Sequence, residues 1–141
     1  MGQTQYALSL VAPQRALELN MASAVEPGLH AYDPAVSDLI LFDEMSAAAV
    51  LRQKKLMQAP PSLLGLGSSP TNNFAYPVWL HAKLLVVCTN RWGLKVETLP
   101  AADHEWLLTN AVVVRVDEPL FSAEALRAGV CFAGQCMVAQ E

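Results

Sequence analysis

The sequence predicts an α/β domain built on a mainly parallel sheet. Two strongly apolar segments, LILFDE at residues 39–44 and KLLVVCTN at residues 83–90, each hold four or more consecutive core residues, so burial on both faces is implied. Helix-forming stretches alternate with these strands, as covering layers do in α/β proteins. The chain of 141 residues is 53% hydrophobic, with a mean hydropathy of +0.29. No apolar run reaches the ~18 residues needed to span a bilayer, so the hydropathy reads as buried sheet.

Along the chain, residues 4–11 (TQYALSLV) place Tyr6, Ala7, Leu10 and Val11 at helical spacing, and Pro13 ends that helix. Residues 16–20 (ALELN) form a short strand, and Glu26-Pro27-Gly28 a turn. SDLILFDE is the strongest strand and ends in two carboxylates. One helix is predicted from Ser46 through residue 58, rich in Ala, Leu and Lys and stopped by Pro60-Pro61. Residues 62–82 read as a hairpin with Leu63, Leu64 and Leu66 on one arm and Phe74, Tyr76, Val78 and Trp79 on the other. Its tip, at residues 67–73, is dense in turn formers. KLLVVCTN follows as a strand, AADHEWLLTN (101–110) as a helix and AVVVRV (111–116) as the last strand. Beyond Pro119 the tail has weak helical character and then no pattern. The organisation expected is one domain over residues 1–121 and a tail over 122–141.

Formal net charge is −4, opposite to the basic balance of a free-standing nucleic-acid binder. Cys88, Cys131 and Cys136 form no metal-ligand spacing, and Cys88 sits in an apolar strand as a small core residue. An odd cysteine count without a secretory leader points to a reducing, intracellular compartment.

The chemistry-bearing residues are spread over three segments. Gly2-Gln3-Thr4 has the form of the end of a phosphate-binding loop, in which backbone N–H groups cradle phosphate, Lys neutralises its charge and Ser/Thr holds Mg²⁺. Gln3 stands at the Lys position; it donates hydrogen bonds but carries no charge. Asp43-Glu44 ends a buried strand, a form in which Asp would bind Mg²⁺ through water and Glu would polarise an attacking water. Carboxylates at a helix start are also favourable for structural reasons alone. Asn90 ends the other buried strand, where it either orients that water or makes an ordinary turn. In an open α/β sheet all three segments converge at the carboxyl ends of the strands.

Together GQTQYALSL, LILFDE, LRQKKLMQAP, YPVWLHAKLLVVCTNRW and DHEWL resemble the superfamily-3 helicase domain of Rep-like replication initiators. These belong to small single-stranded DNA viruses and their genome-integrated relatives. The resemblance covers about residues 2–121, and LRQKKLMQAP followed by a hairpin is its most specific part. It implies an AAA+-like P-loop NTPase sheet, here incomplete, with flanking helices, an inserted hairpin and its first strand missing. It implies ATP with Mg²⁺ bound between subunits of a homohexamer and movement along single-stranded DNA in replication. For eukaryotic relatives the location would be nuclear. Gly2, Gln3 and Thr4 fall on Walker A, Asp43 and Glu44 on Walker B, and Asn90 on motif C. Arg52, Lys54, Lys55 and Gln58 fall on the B′ region that accompanies DNA binding.

Departures from the pattern predict weak or absent activity. The loop lysine is Gln3, most of the Gly-rich loop is absent, the hairpin tip carries no Lys or Arg, and His104 stands where some relatives carry an arginine. The other function carried by this sequence is a non-catalytic protein- or nucleic-acid-interaction module. Arg52, Lys54 and Lys55 also fit a solvated helix face, and Trp79, Trp92 and Trp106 fit packing anchors as well as base-stacking platforms. A missing first strand would leave a slot one strand wide between KLLVVCTN and AVVVRV, about two spacings of ~4.8 Å. It predicts marginal stability, closure by sliding, or filling by the C-terminal segment or another chain.

Overall fold

The structure is a computed structural model that describes residues 3–24, 26–67, 75–90, 92, 98–114 and 136–139. Helix α1 (Gln3–Ser9) leads through a 3₁₀ turn at Pro13–Arg15 into β1 (Ala16–Asn20). Strand β2 (Leu39–Asp43) is followed by helices α2 (Ala47–Arg52) and α3 (Lys54–Met57), then by hairpin strands β3 (Leu64–Leu66) and β4 (Tyr76–Val78). Strand β5 (Leu84–Cys88), helix α4 (Ala101–Asn110) and strands β6 (Ala111–Val114) and β7 (Cys136–Ala139) complete the order.

The main sheet runs β1-β2-β5-β7-β6. Its first three strands are parallel, and β7 is antiparallel to both its neighbours. Ala16, Leu39 and Leu84 lie in one register row and Asn20, Asp43 and Cys88 in another. The chain is therefore mixed α/β with a three-stranded parallel unit, which agrees with the expected fold class at that level. The slot between β5 and β6 is filled by the C-terminal segment, where the sequence shows no strand pattern.

The strictly alternating faces of β2 and β5 define two cores. Leu39, Leu41, Val86 and Cys88 face α1 and pack on Ala7. Ile40, Phe42, Leu85 and Val87 face a larger cluster that includes Val50, Leu56, Met57, Leu64, Val78, Leu80 and Leu107. The hairpin and the helices α2, α3 and α4 thus cover one face and α1 the other. Trp92 is buried in the larger cluster and Trp106 packs at its margin, whereas Trp79 is exposed.

Two expectations are corrected. The helix predicted as continuous from Ser46 through residue 58 breaks at Gln53, whose φ of −104° and ψ of 27° leave the helical range. The Gln53 N–H is shared by the carbonyls of Ala49 and Val50, the bifurcated pattern of a helix end. The predicted strand arm reaching Trp79 ends at Val78, and Phe74 and the hairpin tip lie outside the described residues. Among the described residues no helix is long and apolar enough to cross a membrane.

At the amino ends of the parallel strands, charges replace apolar contacts. Arg15, Asp38 and Lys83 each immediately precede a strand of the same register row. The Arg15 guanidinium grips Asp38 through both Nε and Nη2, the latter at 2.6 Å, and Lys83 Nζ lies 3.9 Å from Asp38 Oδ1. Hydrogen bonding to Arg15 lowers the Asp38 carboxyl below its ordinary value; burial opposes this, and the Arg15 and Lys83 charges add to it. The ladder continues through the same residue, with Asp38 N donating to Arg15 O at 2.8 Å and Leu84 N to Asp38 O at 3.0 Å. Nearby, the Tyr32 hydroxyl donates to the Trp79 carbonyl at 2.9 Å. Its pKa is pushed up to about 12 by burial first, then by Asp33 and Asp38.

Replacing Phe42, which is fully buried, by Ala is expected to cost ~3–5 kcal/mol. Urea unfolding followed by circular dichroism reads that loss as a lower midpoint at an unchanged slope. Because Asp38 titrates below its unfolded value, its stabilisation is complete above pH ~4 and is lost as pH falls through the lowered value. The Asp38→Asn variant should therefore show a flatter dependence of stability on pH below ~4, measured by acid-dependent thermal melts.

Candidate functional site

The carboxyl ends of β1, β2 and β5 open into a cleft of about 730 Å³. The turn at residues 21–24 forms one wall and Ser46, Ala47, Ala49 and Arg52 the other, with Glu44, Thr89 and Asn90 at the strand ends. The first wall is fixed by Met21 N donating to Asp43 O at 2.8 Å and by Ala22 N donating to Asn20 Oδ1 at 3.0 Å. On the second wall, Ser46 caps α2 by accepting from Ala49 N at 3.2 Å. Ser46, Ala49 and Arg52 follow at three-residue spacing, which puts them on one helix face.

The structure joins the sequence-predicted residues in two pairs. Thr4 Oγ1, in the first turn of α1, donates to Asp43 Oδ1 at 3.1 Å. Asn90 Nδ2, just past β5, donates to Glu44 Oε1 at 3.1 Å. Pleating explains the division. Asp43 shares the face of Leu39 and Leu41, which is the α1 face, whereas Glu44 turns out of the strand with φ of 58°. The Glu44–Asn90 pair lines the cleft, whereas the Thr4–Asp43 pair joins α1 to the end of β2 on the α1 face of the sheet. Gln3 is the first residue of α1, and Gly2 lies outside the described residues.

The three basic residues of the B′ segment have different surroundings. Arg52 lines the cleft. Lys54 Nζ pairs with Asp103 Oδ1 at 2.7 Å and sits 5.3 Å from the centre of the Trp106 ring. Lys55 is exposed on α3, and Gln58 Nε2 donates to Asn110 Oδ1 at 3.3 Å. His104 is exposed on α4.

Fit to a divalent cation rests on the Thr4–Asp43 pair. A hydroxyl and a carboxylate oxygen already at contact distance are hard donors of the type Mg²⁺ takes, and Mg²⁺ usually keeps waters and substrate phosphates as its remaining ligands. Among the described residues no group of three or more His, Cys, Asp or Glu could hold a metal by itself. Thr4 and Asp43 thus offer one hydroxyl and one carboxylate oxygen as candidate donors.

Sequence reasoning missed the wall at 21–24, small at Ala22, Ser23 and Ala24, and the Arg15-Asp38-Lys83 row. A charged residue immediately before each apolar strand was the available signal for that row. It also missed a second groove of about 350 Å³, in which the His30 and Tyr76 rings lie with centroids 3.9 Å apart and planes tilted by 34°, and the Tyr76 hydroxyl accepts from Leu29 N at 2.9 Å.

Glu44 holds a left-handed backbone conformation that costs a side-chain-bearing residue ~1–2 kcal/mol. The Glu44→Gly variant is expected to gain about 0.5–1 kcal/mol of stability while losing the carboxylate that Asn90 orients. Thermal denaturation of the variant against the parent reads this gain. Comparison of the chain with protein-family models, with curated proteins and with solved structures found no match.

Proposed function

We infer that this chain is a degenerate Rep-like superfamily-3 DNA helicase/ATPase domain, ancestrally driving movement along single-stranded DNA in replication and now weak or inactive. The observation that carries this reading is the pairing of Thr4 with Asp43 and of Asn90 with Glu44 at the carboxyl edge of adjacent parallel strands. Four residues singled out in three distant segments meet there, separated by 39 and 46 positions within the pairs. Ligands of open α/β sheets bind at that edge.

In this reading Thr4 and Asp43 would hold the Mg²⁺ of Mg²⁺-ATP, which would supply charge neutralisation at the phosphates. Glu44 accepts a proton from, and orients, the attacking water; Asn90 fixes the Glu44 carboxylate by its hydrogen bond. The uncharged Gln3 at the lysine position removes a cation from a reaction that depends on charge stabilisation, so slow or absent turnover follows.

Calorimetric titration of the full chain with Mg²⁺-ATP tests it. Weak binding is expected, weakened at least about tenfold by Asp43→Asn as a charge-assisted interaction is lost. Binding is expected to strengthen in an extended variant carrying a complete Gly-rich loop, its preceding strand and Gln3→Lys. Absence of binding in both chains, with both folded, overturns the reading and leaves a non-catalytic interaction module.

A further inference from the structure

We propose that Arg52 is the phosphate-binding group of the cleft, taking the oligophosphate of a small phosphorylated ligand on the side opposite the turn at 21–24. Among the described residues that line the cleft, Arg52 is the one cation. Its situation differs from that of the other described basic groups near carboxylates. Arg15 and Lys83 are held by Asp38, and Lys54 by Asp103, whereas no ion pair engages Arg52 among the described residues. An exposed guanidinium at the rim of a polar cleft is suited to an anion, because its planar fork matches two phosphate oxygens at once.

The walls are shaped for a ligand of that kind. Ala47 and Ala49 on α2 and Ala22, Ser23 and Ala24 opposite are small, so the cleft stays open between Arg52 and the strand ends. At about 730 Å³ it falls within the size range of small-molecule and cofactor sites. The Glu44 carboxylate on the same cleft disfavours an anion lying directly against it. The ligand's phosphates therefore lie toward Arg52, with a divalent cation neutralising the part that approaches the strand ends. Arg52 thus supplies, from α2, a positive charge that Gln3 does not.

This rests on the nucleotide reading only for the identity of the organic part of the ligand; the phosphate contact is independent of it. The test titrates the full chain with inorganic tripolyphosphate, without and with Mg²⁺, and with Mg²⁺-ATP, by calorimetry and by NMR of the Arg52 side-chain Nε–H. Arg52→Gln is expected to weaken tripolyphosphate binding about 10- to 100-fold with an unchanged melting temperature, and Arg52→Lys to recover part of the loss. Glu44→Gln is expected to tighten binding in the absence of Mg²⁺. No tripolyphosphate binding by the parent chain, or equal binding by parent and Arg52→Gln, overturns the proposal. Equal Mg²⁺-ATP affinity of parent and Arg52→Gln leaves the nucleotide reading standing and removes Arg52 from it. Arg52-dependent binding of tripolyphosphate with no added affinity for ATP leaves the phosphate site standing and removes the nucleotide.

Discussion

Leu39, Ile40, Leu41 and Phe42 are buried on both faces of β2, so each of their backbone N–H and C=O groups must find its partner in a neighbouring strand. That requirement pins β1 on one side and β5 on the other in a single parallel register. Much else follows from the register. It sets Arg15, Asp38 and Lys83 side by side at one end of the sheet and places Asn20, Asp43 and Cys88 side by side at the other. A slip by one residue would exchange the two cores, moving Phe42 to the α1 face and Asp43 into the larger apolar cluster.

The two ends of the parallel unit do different work. At the amino end, the Asp38 carboxylate between two cations satisfies the charges internally and ties the three strand starts together. At the carboxyl end the Glu44–Asn90 pair still faces a cleft, and Arg52 on its wall has no ionic partner among the described residues. The strained backbone at Glu44 belongs to this end. Its turn out of the strand aims the side chain across to Asn90 instead of along the pleat.

The far side of the sheet is held differently. Strand β5 is buried and central, yet its neighbour on that side, β7, comes from the end of the chain and runs against it. Among the described strands β6 pairs with β7, and its Val112, Val113 and Val114 are exposed. The ladder of β5 is thereby completed by a segment with little local strand signal. Edge pairing is generic in its backbone chemistry, so the segment needs reach and freedom from proline more than a distinctive pattern.

The continuous apolar runs at 39–42 and 84–87 by themselves determined the two central strands, because only a sheet covered on both faces buries every residue of such a run. Helix α4, the hairpin and the buried Cys88 were legible for similar local reasons: period, turn residues and an apolar setting. Asp43, Glu44 and Asn90 were legible as candidates because they end those runs. Only the tertiary structure decided which of them touch, since side-chain pairing across 46 positions depends on strand order and on the turn at Glu44. It also decided the break at Gln53, the place of β7 and the separate surroundings of Arg52, Lys54 and Lys55. Three neighbouring cations look like one cluster in a sequence; packing against Asp103 and Trp106 draws Lys54 away and leaves Arg52 on the cleft.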